Sequence, residues 1–247
     1  MQKSFKKRLL DKELMIGTDI SLPSPEIAEI LENAGFDWLF VDFEHSIMDI
    51  KNIQQIIQAV NIPCVVRCPS DDEVWIKKCL DIGASGIIIP QIKDIEQIEN
   101  VVKYSKYRPI GERCTGIGRA NKYGQNFHEY LKNANDNIVT IIQIENKEAV
   151  ALINDIVKVE GLDAVFIGPL DLSDSLGKTG QVDSPEVLKA ISKVRDTCIK
   201  SNMPLSIFTS NTQAAEKFIS DGFSLMTISA DILLLSDAAK DIVNEFK

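Results

Sequence analysis

GFDWLFVDFEHSIMDIKNIQQIIQAVNIPCVVRCP, residues 35–69, carries the architecture of this chain in one stretch. Its opening glycine, Gly35, supplies the left-handed residue that ends a preceding helix. The run WLFV that follows is continuously apolar, as a strand covered on both faces must be. Ile50–Val60 then repeats isoleucines at helical spacing, and PCVV opens a second buried strand that stops at Arg67. Strand, helix, strand over about 35 residues is the parallel unit, because parallel neighbours need a crossover connection.

Outward from there the unit repeats. Strands are predicted over Leu14–Ile20, Asp37–Phe43, Ile62–Arg67, Ser85–Pro90, Ile138–Glu145, Asp163–Gly168, Pro204–Phe208 and Ser224–Ser229. Helices are predicted over Pro25–Ala34, Ile50–Val60, Glu73–Ile82, Ile95–Lys106, Lys147–Val157, Pro185–Ser201, Gln213–Ser220 and Ile232–Phe246. Ser24 and Ser184, each before a proline, are the expected helix caps. Eight units in 247 residues make one (β/α)8 TIM barrel spanning 1–247. A doubly wound open sheet is the alternative, but no G-x-G-x-x-G follows the first strand.

The charge balance narrows the partners. A net charge of −9 gives no support to nucleic-acid binding, which needs a basic face. The longest apolar runs, such as Gly86–Pro90, are far too short to span a bilayer. The start, MQKSFKKRLLDKEL, reads as an amphipathic first helix rather than an export signal, so the cytoplasm is expected. The five cysteines are scattered and complete no zinc site, which reads as reduced, buried or half-buried thiols, with a redox or metal role as the other reading.

One connection breaks the rhythm. Tyr107–Asn137 inserts about thirty residues, beginning YRPIGERCTGIGRANKYG, between the fourth barrel helix and the fifth strand. Its glycines let backbone approach a ligand, and Arg113 and Arg119 add charge. An active-site flap is the expectation, with a structural excursion as the other reading.

Reacting groups of such barrels sit at the C-terminal ends of the strands. Those ends supply Asp42, Glu44 and His45 after the second strand and Arg67 after the third. The fifth carries Gln143 and Glu145, two apart and so on one face, and the sixth runs into Gly168–Pro169–Leu170–Asp171. Glu145 and Asp171 could form an open carboxylate pair for a hard divalent cation, or could simply pair with arginine. His45 is either a proton-transfer group or a packed histidine. Arg67 can clamp a carboxylate through two parallel hydrogen bonds. His128 falls in a polar helical stretch. No lysine lies in any strand, against a Schiff-base mechanism, and no G-x-S-x-G is present.

At residues 35–49, VVRCP (65–69), LDIGASGIIIPQI (80–92), IIQIE (141–145) and GLDAVFIGPLDLSDSLG (161–177), the sequence resembles the HpcH/HpaI aldolase family over essentially its whole length. That family comprises metal-dependent pyruvate aldolases acting on 4-hydroxy-2-oxo acids and 2-keto-3-deoxy sugar acids. The resemblance implies that Glu145 and Asp171 hold a divalent cation (Mg2+, Mn2+ or Co2+). It implies that Arg67 holds pyruvate and stabilises its enolate, that His45 transfers protons, and that Asp81 raises the basicity of His45. Gln143 and the run Gly168, Pro169, Leu170 and Asp171 match substrate contacts, Leu170 through its backbone amide. It also implies a homo-oligomer, a trimer or a hexamer built from trimers, with sites near subunit boundaries.

Two departures stand out. Where relatives commonly have an aromatic residue after the first-strand glycine, this chain reads Gly17–Thr18–Asp19, so Asp19 is expected to face the aldehyde end of the substrate as a carboxylate. The opening run of the insert, which closes on RANKYG (119–124), is similar to relatives that build carbon–carbon bonds from other oxo acids, including a citrate synthase. The expected reaction is therefore cleavage or formation of a 4-hydroxy-2-oxo acid to give pyruvate and an aldehyde. The alternatives are an enolate-forming synthase or decarboxylase on oxaloacetate, and a non-catalytic binding barrel.

Overall fold

The computed structural model describes residues 3–247. Eight parallel strands close into a barrel in sequence order: β1 (Met15–Ile20), β2 (Trp38–Asp42), β3 (Cys64–Arg67), β4 (Gly86–Ile89), β5 (Val139–Ile144), β6 (Ala164–Ile167), β7 (Leu205–Thr209) and β8 (Leu225–Ala230). The helices are α1 (Phe5–Leu10), α2 (Pro25–Ala34), α3 (Ile50–Ala59), α4 (Glu73–Asp81), α5 (Ile95–Ser105), α6 (Phe127–Asn137), α7 (Lys147–Ile156), α8 (Pro169–Ser175), α9 (Pro185–Lys200), α10 (Thr212–Ser220) and α11 (Asp231–Phe246). No helix among the described residues is long and apolar enough to cross a membrane.

Local chemistry starts the helices where the chain leaves each strand. Asp49 and Asp94 form reciprocal capping boxes with Asn52 and Gln97, satisfying two free amides each. Ser24 accepts from the Ile27 amide as expected. Ser184 does not cap; it precedes Pro185 but its hydroxyl is buried without a partner. α8 is an extra short helix, begun by Pro169 at its first position.

Two apolar layers result. The barrel interior is filled by Phe5, Leu9, Met15, Trp38, Phe40, Val65, Ile88, Ile141, Phe166 and Leu225, among others. A second layer packs the outer strand faces against the helix ring. Gly17 is needed for the first: a Cβ there would lie 2.4 Å from Trp38 Nε1. α1 closes the N-terminal end, with the Phe5 and Trp38 rings 6.2 Å apart.

The same closed end holds a buried ion cluster. Lys106 Nζ donates to Asp163 Oδ2 and to the Ile138 carbonyl, both at 2.7 Å, and Lys6 Nζ reaches Asp163 Oδ1 at 2.7 Å. Lys6 also donates to the Asn135 carbonyl, so one aspartate joins α1, α5, the insert and the start of β6.

The insert lies at this closed end too. It runs from α5 to β5, and helix-to-strand connections fall on the N-terminal face. Its arginines are spent on anchoring: Arg113 pairs with Asp81 at 2.6 Å and stacks over Tyr107, while Arg119 donates to the carbonyls of Ile82 and Ile57. The expectation of a flap over the chain's own active site is therefore corrected. Glycine content suggested a ligand loop, but connection order decides which end of the barrel a loop occupies. His128 sits in α6 of this segment.

At the opposite rim α11 leaves β8 and is exposed almost throughout. Past Asp231, every residue except Ser236 is exposed, including Leu233, Leu234, Leu235, Ile242 and Val243.

Candidate active site

The C-terminal ends of the strands gather the polar residues. Asp42 closes β2 and Arg67 closes β3, in register with each other. Their side chains meet as a two-point pair: Arg67 Nε donates to Asp42 Oδ1 at 3.0 Å, and Nη2 lies 2.8 Å from Oδ2. The guanidinium stands 5.1 Å above the Phe40 ring, so its plane is set from two sides. Asp42 Oδ1 also accepts from the Glu44 and His45 amides at 2.9 and 3.2 Å. One carboxylate thus orients Arg67 and folds the Glu44–His45 turn, a task that the strand-end list of residues could name but not assign.

His45 is open to solvent, its side chain 64% exposed, with Nε2 3.6 Å from Glu44 Oε2. Burial pushes the Glu44 carboxyl up to about 7, against the pull of Arg67 and with Glu145 adding to the rise. Across the mouth, Gln143 projects from β5 and Glu145 sits just past it. Gln143 Nε2 donates to Glu145 Oε2, and the Gln91 amide donates to Oε1. Burial raises the Glu145 pKa against these bonds, and the Asp171 charge raises it further.

Asp171 lies in the first turn of α8, just past the end of β6. The same turn places Gly168, Pro169 and Leu170 on the cavity wall. Gly168 lets this turn pack closely: a Cβ there would lie 3.0 Å from Gln143 Nε2 and 3.3 Å from Glu145 Oε2. The first-turn amides of Leu170 and Asp171 have no intrahelical acceptor and point out of the helix start.

These residues surround a cavity of about 370 Å³, floored by Phe40, Phe166 and Phe208 and lined also by Asp19, His45, Arg67, Gln143 and Asp171. A second cleft beyond Asp171 is lined by Gln91, Glu145 and Asn146. Phe166 and Phe208 are inward positions of β6 and β7, which strict alternation from each strand end would have found.

Asp19 is inward-facing in β1, but its Oδ1 is buried with no hydrogen-bond partner. Burial pushes its carboxyl up to about 8, Asp42 adding and Arg67 opposing. That direction runs against the expected ionised carboxylate, because burial outweighs the attraction of Arg67, whose fork faces Asp42.

Asp81 is not brought to the site. It ends α4, at the closed end of the barrel, in its ion pair with Arg113.

Among the described residues no three His, Cys, Asp or Glu side chains are grouped to hold an ion. The two carboxylates of Glu145 and Asp171 nonetheless fit one. They are hard oxygen donors that repel each other across an open cleft, and the repulsion is relieved by a cation between them.

The open end of this barrel, where (β/α)8 enzymes carry their active sites, brings together a locked arginine, an exposed histidine and an acidic pair. Comparison with known proteins narrows the class. The profile of the HpcH/HpaI aldolase/citrate lyase family matches residues 19–238. A 4-hydroxy-2-oxo-heptane-1,7-dioate aldolase of Shigella boydii is 34% identical, with 100% of this chain and 95% of that protein aligned. A hydroxypyruvate/pyruvate aldolase of Roseobacter denitrificans is 33% identical over 99% and 97%. The crystal structure of a family member from Burkholderia cenocepacia superposes with a TM-score of 0.93 at 31% identity, covering 97% of each chain. The chain belongs to the HpcH/HpaI aldolase/citrate lyase family, and it is an aldolase.

Proposed function

We propose that this aldolase makes and breaks the C3–C4 bond of 4-hydroxy-2-oxo acids, with pyruvate as the donor fragment and Mg2+, Mn2+ or Co2+ held by Glu145 and Asp171. The observation that carries this reading is the Arg67–Asp42 fork facing Gln143 and Asp171 across one cavity. The bound cation supplies Lewis acidity toward the oxygens of the 2-oxo acid.

The chain's own groups account for the rest. Among the described residues no protein acceptor takes Arg67 Nη1, which leaves its two protons for the keto oxygen as negative charge develops there. The free amides of Leu170 and Asp171 suit the donor carboxylate, and Pro169 and Gly168 hold that turn against Gln143. In cleavage, His45 takes the 4-hydroxyl proton at its imidazole nitrogen, with the Glu44 carboxyl beside it. Asp19 meets the aldehyde fragment.

Asp81 serves His45 only across a boundary between copies, since one chain keeps them at opposite ends. The exposed apolar side of α11 supports the same homo-oligomer, a trimer or hexamer. The unpaired state of all five cysteines, four of them buried, supports a place in the cytoplasm.

The test is pyruvate release from a panel of 4-hydroxy-2-oxo acids before and after exhaustive chelation. Activity lost on chelation and restored by Mg2+, Mn2+ or Co2+ is expected; full turnover without metal, or no pyruvate from any member, overturns the reading.

A further inference from the structure

The aromatic floor of the cavity is broken at one point. Asp19 stands on the inward face of β1 and lines the cavity with Phe40, Phe166 and Phe208, whereas the cleft that holds Glu145 does not include it. Its Oδ1 is buried with no protein donor or acceptor, and a buried polar atom without a partner destabilises the fold. Such a group is retained at a mouth when a ligand completes it. The nearby charges do not complete it. Arg67 from β3 is held by Asp42 from β2, and Asp231 at the head of α11 accepts from Ser21 and Leu22. His45 and Asp171 line the same cavity.

We propose that Asp19 recognises the aldehyde fragment by exchanging hydrogen bonds with a hydroxyl group on it, making hydroxyaldehydes the acceptor class of this enzyme. The proposal rests on the aldolase reading above and adds the acceptor to it. A protonated carboxyl has one O–H donor and free acceptor lone pairs, and an alcohol has the same complement, so the two satisfy each other in both directions. A distal carboxylate on the acceptor takes the Asp19 proton but offers none back to Oδ1, and it approaches a group that already feels the charges of Asp42 and Asp231 behind it. Burial holds the Asp19 carboxyl up to about 8, with Asp42 and Asp231 adding and Arg67 opposing, so the donor is present at neutral pH and lost above it.

The experiment compares two reactions of the metal-loaded enzyme: exchange of pyruvate methyl protons with deuterated water, which needs no acceptor, and addition of pyruvate to glyceraldehyde or succinic semialdehyde. For Asp19→Ala, kcat/KM for glyceraldehyde addition should fall about tenfold more than the exchange rate, the size of one lost buried hydrogen bond. Asp19→Asn keeps a donor and an acceptor and should stay within about threefold of wild type. Wild-type glyceraldehyde addition should decline above pH 8, and Asp19→Asn should lack that decline. Equal loss of exchange and addition in Asp19→Ala, no loss in either, or a wild-type preference for the semialdehyde overturns the proposal alone. No exchange in the wild-type enzyme overturns the aldolase reading, and the proposal with it.

Discussion

At Arg67 the energy of the site is concentrated in a plane. Asp42 and Phe40 hold the guanidinium from its edge and its face, so lysine keeps the charge but loses both constraints. Arg67→Lys should lower kcat by about a hundredfold while KM rises only a fewfold, since the loss falls on charge developed in the transition state. A rise in KM alone would reduce Arg67 to an anchor. Gly168 tests position rather than charge. A methyl group 3.0 Å from Gln143 Nε2 must push the Gln143–Glu145 pair aside by a few tenths of an ångström. Against the roughly hundredfold cost of a 1 Å misplacement, Gly168→Ala should lose about tenfold in kcat/KM and weaken metal binding measured by calorimetry. Asp19 has a signature in stability as well. Its folded pKa of about 8 lies above the ordinary 3.8, so the folded state binds the extra proton between those values. Stability from this group is whole below pH 3.8 and is lost as the pH rises through 8. Asp19→Asn does not titrate, so its Tm should gain on wild type from pH 5 to pH 8 and stop gaining above; parallel Tm profiles would refute a buried neutral acid.

Elements were legible where burial writes a simple pattern. WLFV, PCVV and GIII are buried on both faces and stand in the barrel within a residue or two of their expected bounds, and Pro25–Ala34 matches at both ends. The site residues that end strands could be named for the same reason, since counting from a strand end needs no tertiary information. What could not be read is how loops return. Asp171 reached its place by way of α8, whereas the end of the barrel that the insert occupies followed from its place between a helix and a strand and not from its glycines. The Lys106–Asp163–Lys6 cluster joins residues 6, 106 and 163 and has no local signal at all. Within it, Lys106 is buried and its pKa is pushed down to about 8 by that burial, with Asp163 opposing. Asp163→Asn keeps the shape and removes the only carboxylate between two ammonium groups. It should cost about 3–5 kcal/mol in urea unfolding, as breaking a buried pair does. A loss below 1 kcal/mol would mean that the cluster opens to water.

On the scale of the whole molecule the barrel keeps two ends with different duties. His45 and Arg67 stand at one, Asp81 and the insert at the other, and a single chain cannot join them. If Asp81 acts on the His45 of a second copy, inactive His45→Ala and inactive Asp81→Asn chains should regain activity when refolded together, because mixed boundaries restore some complete pairs. Failure to complement would confine Asp81 to its ion pair with Arg113. The bare helix α11 has a consequence for how this protein tolerates heat and dilution. In the homo-oligomer proposed above, a second chain covers Leu233, Leu234, Leu235, Ile242 and Val243, which a lone chain leaves in water. Association that is specific to the folded form then adds to its stability in proportion to the logarithm of the amount present. Scanning calorimetry across a hundredfold range of protein should show the melting midpoint climbing with concentration, and Leu233→Glu with Leu235→Glu should flatten that slope. Heat tolerance then belongs to the solution as much as to the chain.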